Sequence, residues 1–280
     1  MTIGIIGLGL IGGSISLKLK KNSPQTTIVG YDNNELHTDF ALTNKMVDDI
    51  RTVSEGFHNL DLIIICTPVN VTEDLLPKIL DQLQPKQSVM DVGSTKERIS
   101  ERVKFHSNRK QYVAFHPMWG TENNGPESAT INSFEGKAAI ICDKELSNQD
   151  SLDKCLMISE ILGLHTIFMS SKDHDLHTAY ISHISHITSY ALANTVLEKE
   201  REEETIFQLA SSGFSSTVRL AKSHPEMWVP IFQQNKENVL DVLNEHITQL
   251  RKFKSALEKE NFELLEELIQ NANRIRGILK

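Results

Sequence analysis

The chain has 280 residues, 39% of them hydrophobic, and a formal charge of −8, long enough for two domains each with its own core. The acidic balance, with no basic stretch against it, excludes a nucleic-acid surface, and no apolar run reaches membrane-spanning length. No signal-peptide pattern precedes Gly4, and Cys66, Cys142 and Cys155 lack pair spacing; the expectation is a soluble cytoplasmic protein without a disulfide framework or a metal site.

The first expected element is a strand at 2–6, followed at once by Gly7, Gly9 and Gly12 in a G-x-G-x-x-G spacing. A helical pattern opens there, through Leu10, Ile11, Ile15, Leu17 and Leu19. A second strand at 27–31 ends on Asp32, about 20 residues past Gly12. Each part has a mechanical job. Gly7 permits the tight turn, Gly9 lets backbone N–H groups approach a pyrophosphate, Gly12 allows close helix–sheet packing, and Asp32 accepts from a ribose 2′-hydroxyl. The helix start at Leu10 and Ile11 adds the positive end of its dipole. Asp32 would repel a 2′-phosphate, and Asn33, Asn34 and Glu35 offer no cation to hold one, so the expected cofactor is NAD rather than NADP.

Further strands are expected at 62–66, 89–92, 113–115, 138–142 and 166–169, with helices such as 71–83 and 97–105 between them. Thr67 and Pro68, just after the third strand, join the expected cofactor contacts. Alternating apolar strands and helices imply a mostly parallel, doubly wound α/β sheet of Rossmann type covered on both faces. After Met169 only amphipathic helical patterns remain, broken near Gly213 and Pro225. The last runs through Leu240, Leu243, Ile247 and Leu250, then Leu264, Leu265, Leu268, Ile269 and Ile275. The expected division is a dinucleotide-binding domain at 1–170 and an all-helical substrate and dimerisation domain at 171–280. The acidic run Glu198 to Glu204 reads as a solvated face.

Four segments place polar residues where strands end or helices begin. In Asp91-Val-Gly-Ser94-Thr95-Lys96, Ser94 either faces the ligand crevice or caps the next helix, and both can hold. In His116-Pro-Met-Trp-Gly-Thr-Glu122, a histidine at a strand end can accept an alcohol proton while hydride leaves the same carbon; the bland alternative is a structural histidine. From Asp173 to His186 stand four histidines. At about 100° per residue, His174 and His186 fall about 120° apart around the helix, and so do His177 and His183, which argues against a shared metal. In Gly213-Phe-Ser-Ser216-Thr-Val-Arg219, the arginine can grip a carboxylate with a bidentate fork or form a surface salt bridge.

Taken together the segments resemble the prephenate/arogenate dehydrogenase family of tyrosine biosynthesis. The resemblance rests on Gly-Leu-Gly-Leu-Ile-Gly-Gly-Ser (7–14), Asp-Val-Gly-Ser-Thr-Lys (91–96) and His-Pro-Met-Trp-Gly-Thr-Glu (116–122). It continues through Ser-His-Ile-Ser-His (182–186), Gly-Phe-Ser-Ser-Thr-Val-Arg (213–219), Pro-Glu-Met-Trp (225–228) and Asn-Lys-Glu-Asn (235–238). It implies an NAD-dependent oxidative decarboxylation of prephenate to 4-hydroxyphenylpyruvate and CO₂. In that reading His116 takes the hydroxyl proton, Ser94 orients the hydroxyl, and Arg219 binds the ring carboxylate. His174, Ser182, His186 and Trp228 line the substrate pocket, Glu122 stands near its entrance, and the helical half forms a homodimer.

Two positions depart from the family pattern. Ser185 replaces a frequent proline, and Ser216 stands where many members carry an acidic residue. A carboxylate there would favour the ammonium of arogenate; a serine does not, so prephenate is expected over arogenate. Another NAD-dependent β-hydroxyacid dehydrogenase and a non-catalytic NAD-binding regulator are the rival readings.

Overall fold

The computed structural model describes residues 1–200 and 205–278. Two compact units result, Met1–Asn235 and Lys236–Lys280.

The larger unit is built on an eight-stranded sheet. Its elements begin β1 (Thr2–Ile6), α1 (Leu10–Asn22), β2 (Thr27–Tyr31), α2 (Glu35–Thr43), β3 (Asp49–Ile50), β4 (Leu62–Ile65) and α3 (Val69–Gln82). They continue with β5 (Ser88–Asp91), α4 (Glu97–Val103), β6 (Tyr112–Pro117), β7 (Ala138–Cys142), α5 (Gln149–Leu162) and β8 (His165–Met169). The strand order is β3-β2-β1-β4-β5-β6-β7-β8. Its first six places follow the doubly wound order of dinucleotide-binding sheets, with the crevice at the carboxyl ends of the strands. The register sets Ile3 beside Ile28 and Leu62, so alternate residues of neighbouring strands stack on one face. Ile3, Ile5, Leu62 and Ile64 pack into one core layer, and Ile6, Tyr31, Ile63 and Ile65 into the other. Burial on both faces explains why these strands read as continuous apolar runs.

Two features depart from the sequence expectation. The two-residue edge strand β3 went unread, because a pair of residues carries no periodicity. Strand β7 runs antiparallel to β6, and β8 is parallel to β7, so the last two strands reverse the direction of the first six.

Helical structure follows β8: α6 (Ser171–Thr178), α7 (Ile184–Glu200), α8 (Ser212–Thr217) and α9 (Pro225–Gln234). Between α6 and α7 lies one π turn, Ala179–His183. Glu198 is exposed, as expected for a solvated face, whereas residues 201–204 of the acidic run lie outside the described residues. The smaller unit pairs α10 (Lys236–Glu258) with α11 (Phe262–Asn273). Glu260, at φ 49°, turns the chain between them, and the Asn261 side chain caps α11 by accepting from the Leu264 N–H at 3.0 Å. Ile275 falls beyond α11, in a short 3₁₀ turn. No helix among the described residues is long and apolar enough to cross a membrane.

Candidate active site

The carboxyl ends of β1, β4, β5 and β6 open on a cavity of about 670 Å³. Gly9, Leu10 and Ile11 line it at the start of α1, Thr67 and Pro68 after β4, Ser94 after β5 and His116 near the end of β6. From the helical half come Ser182, His186, Arg219 and Trp228. Residues almost 220 positions apart in sequence thus share one wall-to-wall space.

The glycine turn fits a pyrophosphate by its backbone. Gly7 sits at φ 90°, and a Cβ on Gly12 would stand 2.0 Å from the Gly7 carbonyl oxygen. Only glycine fits at either place. Around Gly9, by contrast, an added Cβ would meet nothing within 4 Å, so the open space lies on the cavity side. No side chain caps α1, which leaves its first N–H groups to a ligand. Asp32 does not line the cavity. Its carboxylate accepts from the Leu8 N–H at 2.7 Å and the Asn34 N–H at 2.8 Å, so it braces the glycine turn and retains lone pairs for a ribose hydroxyl.

At the other end stands His116, 9% exposed. Burial, then His174 and Lys96, hold its imidazole well below the usual histidine range, so it is neutral at neutral pH. Its Nδ1 lies 2.8 Å from His174 Nε2. His174 therefore lies behind His116 rather than on the cavity wall where the resemblance had placed it. Ser94 does not cap α4: the cap position belongs to Lys96, and the N–H groups of Lys96 and Glu97 donate to Asp175 at 2.8 and 2.9 Å. The Ser94 hydroxyl is left to the cavity.

Beneath this loop Lys96 and Asp91 form an ion pair with both side chains fully buried, and Tyr112 donates to the second Asp91 oxygen at 2.6 Å. The pair pins both ends of the segment that carries Ser94. On the helical side His186 stacks on Trp228 at 3.4 Å between centroids, and its Nδ1 donates to the Ser182 carbonyl at 3.1 Å. Burial lowers the His186 and His183 imidazoles to about 4 each. A uniform 100° step fails across the π turn, and His174, His183 and His186 all end buried while His177 is exposed.

Arg219 opens a 3₁₀ turn, half exposed, and donates to Glu122 at 2.7 Å. A backbone hydrogen bond, then Arg219, hold the Glu122 carboxyl below its usual range. Ser216 is exposed and outside the cavity, its hydroxyl donating to the Gly213 carbonyl at 2.9 Å.

Two family models match the chain, a prephenate dehydrogenase nucleotide-binding domain over residues 15–168 and a prephenate dehydrogenase dimerization domain over residues 170–271. The chain belongs to the prephenate dehydrogenase family. It is 31% identical over 278 residues to the prephenate dehydrogenase of Bacillus subtilis (strain 168), which spans 98% of this chain and 75% of that protein. The cyclohexadienyl dehydrogenase of Zymomonas mobilis is 28% identical over 280 residues, 99% of this chain and 96% of its own. Among solved structures, prephenate dehydrogenase from A. aeolicus in complex with hydroxyphenyl propionate and NAD⁺ superposes with a TM-score of 0.91 at 28% identity, covering 100% of this chain and 98% of that one.

For a member of this family, the site contains residues that sequence reading passed over. Asp175 stands next to His174 and ties the α6 segment to α4. Trp119 lines the cavity and packs edge-on against Phe134 at 5.2 Å. Trp119 was visible in the His-Pro-Met-Trp segment; Asp175 carried no signal beyond its histidine neighbours.

Proposed function

We infer that the chain is an NAD-dependent prephenate dehydrogenase, converting prephenate to 4-hydroxyphenylpyruvate and CO₂. The observation that carries this reading is a neutral histidine, His116, in one cavity with the uncapped start of α1 and with Arg219. Bound NAD⁺ supplies the hydride acceptor. Gly9, Leu10 and Ile11 would hold its pyrophosphate, Asp32 its ribose, and Thr67 and Pro68 the wall beside it; Gly7 and Gly12 keep that turn closed.

The protein's own groups do the rest. Ser94 holds the ring hydroxyl against His116, whose unshared pair accepts its proton as hydride departs from the same carbon. Loss of the ring carboxylate as CO₂ aromatises the ring, and the product keeps a phenolic hydroxyl. His116 therefore borrows the proton and returns it, and no proton is released over the cycle. Arg219 clamps a substrate carboxylate, exchanging its partner Glu122 for the ligand. Ser182, His186 and Trp228 form the remaining wall, and His174 supports His116 from behind.

Prephenate rather than arogenate is the preferred substrate in this reading, on the family pattern alone: Ser216 stands where an acidic residue would pair with an ammonium, although Ser216 itself lies outside the cavity. We further assign residues 1–170 to the nucleotide and 171–280 to substrate and dimerisation. The family's dimerization domain supports a homodimer, as do Leu250, Leu257 and Phe262, exposed in the smaller unit. Three unpaired cysteines, two of them buried, fit a reducing cytoplasm.

NADH appearance with purified protein, NAD⁺ and either prephenate or arogenate tests the reading. Turnover with prephenate and little with arogenate is expected. Preference for arogenate would refute the Ser216 argument alone, and silence with both despite NAD binding would refute the enzyme.

A further inference from the structure

Asp175 is 1% exposed, and its carboxylate accepts three hydrogen bonds. Two come from the N–H groups of Lys96 and Glu97, where the Ser94 loop enters α4. The third comes from His174 Nδ1 at 2.7 Å. A carboxylate has only lone pairs to offer, so this contact requires the proton on His174 Nδ1. Burial keeps His174 neutral, which leaves its Nε2 bare. The 2.8 Å contact between that nitrogen and His116 Nδ1 then requires the proton on His116 Nδ1. Neutral His116 is left with one unshared pair, on Nε2, and Nε2 is the nitrogen that remains for the cavity.

We propose that Asp175 is a positioning residue of the dehydrogenase: acting through His174, it fixes the tautomer of His116 and supplies the negative charge that lets the two imidazoles hold the borrowed proton. The proposal rests on the reaction assigned above. As the substrate O–H bond breaks, an N–H bond forms at His116 Nε2. The Nδ1 proton shifts toward His174 Nε2, and the His174 Nδ1 proton is shared more fully with Asp175. When the ring aromatises each shift reverses and the phenolic O–H bond re-forms, so the relay neither gains nor loses a proton. A nearby carboxylate is needed because burial and Lys96 both oppose an imidazolium at His116. Asp91 is already committed to Lys96 and Tyr112. Asp175 also joins base and hydroxyl-orienting loop in one rigid piece, since the same carboxylate holds His174 and the residues just after Ser94.

The test combines ¹⁵N-histidine NMR of the ligand-free protein with steady-state kinetics, on the parent, Asp175→Asn and His174→Gln. The parent should show His116 protonated at Nδ1 and bare at Nε2 near neutral pH. Asp175→Asn replaces one acceptor oxygen by a donor and should mix or reverse that tautomer. Its kcat should fall by about 10²–10⁴-fold with the prephenate KM and NAD affinity little changed, by comparison with the orienting aspartate of a serine-protease triad. His174→Gln leaves the Asp175 bonds to α4 in place and should lower kcat at least about tenfold at an unchanged melting temperature. Parental kcat in either folded variant, or a parent with its proton on His116 Nε2, overturns the proposal. If Asp175→Asn does not fold, His174→Gln and the parent spectrum decide. A parent with the expected tautomers but no turnover would sink the substrate assignment while supporting the tautomer chain.

Discussion

One wall of the cavity offers backbone, the other side chains. Gly9, Leu10 and Ile11 present N–H groups at an uncapped helix start, with open space where a Cβ on Gly9 would be. Across from them His116, His186, Trp228 and Arg219 present two neutral imidazoles, an indole and a cation. The difference follows from what each wall must do. A pyrophosphate is bound by dipoles that any glycine turn can aim, so that wall needs room and little chemistry. Hydride leaving a carbon while a proton leaves its hydroxyl requires a base of defined protonation state, and burial gives the second wall neutral imidazoles that suit the part.

The largest effect should come from removing the base. His116→Asn keeps a polar group of similar reach but no basic nitrogen, and kcat should drop about 10²–10⁴-fold with NAD affinity unchanged. Steady-state rates together with a cofactor titration check this; a near-parental rate would remove His116 as the base. Next in size is the buried pair under Ser94. Lys96→Met leaves Asp91 charged and unpaired in a dry site, and the protein should lose about 3–5 kcal/mol of stability. Denaturant unfolding at neutral pH measures the loss, and a loss below about 1 kcal/mol would show that Asp91 is satisfied without its partner.

These two sites differ in how far the sequence announces them. The glycine wall was legible because its residues are contiguous and each obeys a steric rule; Gly12, a Cβ away from the Gly7 carbonyl, is forced by local geometry alone. His116 was legible as a candidate from its place at a strand end. Its neutrality was not, since that depends first on burial and then on His174 and Lys96 arriving from separate segments. His174 was assigned to the pocket wall by resemblance, and matching residues cannot tell a wall position from one directly behind it; the structure sets His174 behind His116. Asp175 was invisible for a related reason: its partners, Lys96 and Glu97, lie far away in sequence and bind it through backbone N–H groups that no residue type betrays.

The carboxylate clamp should show a moderate effect, mainly on binding. Arg219→Ala removes a charged donor from the rim, where such hydrogen bonds contribute about 1.5–3 kcal/mol, so the prephenate KM should rise roughly tenfold to a hundredfold. An unchanged KM would show that the cation serves only Glu122. Because Arg219 is half exposed, its loss should leave the melting temperature nearly unchanged, in contrast to Lys96→Met.

The side-chain wall should also give the protein a characteristic acid sensitivity. His183 and His186 are held at about 4 in the folded state, against 6.5 ordinarily. Between those values the unfolded chain binds more protons, so stability falls as pH drops from about 6.5 toward 4 and is complete above that range. Melting temperatures across this window should fall with acidification, and replacing His183 and His186 by Gln should flatten the slope. A slope unaffected by both replacements would assign the acid loss to His116, His174 or carboxylates instead.

The smallest effect on stability belongs to Gly9 on the backbone wall, and comparison with Gly12 isolates it. Gly12→Ala puts a Cβ 2.0 Å from the Gly7 carbonyl oxygen, a backbone atom that cannot step aside, so α1 must move off the sheet and both folding stability and NAD binding should suffer. Gly9→Ala meets no atom within 4 Å and Gly9 already has φ −69°, so its fold should stay within about 0.5 kcal/mol of the parent. The added methyl group instead occupies the space beside the α1 N–H groups, and NAD affinity should fall while prephenate KM at saturating NAD holds. Thermal unfolding and NAD titration of the two variants separate the roles. Were Gly9→Ala to bind NAD as tightly as the parent, the open space at Gly9 would not be where the pyrophosphate lies, and the backbone wall would have to be sought elsewhere on the sheet's carboxyl edge.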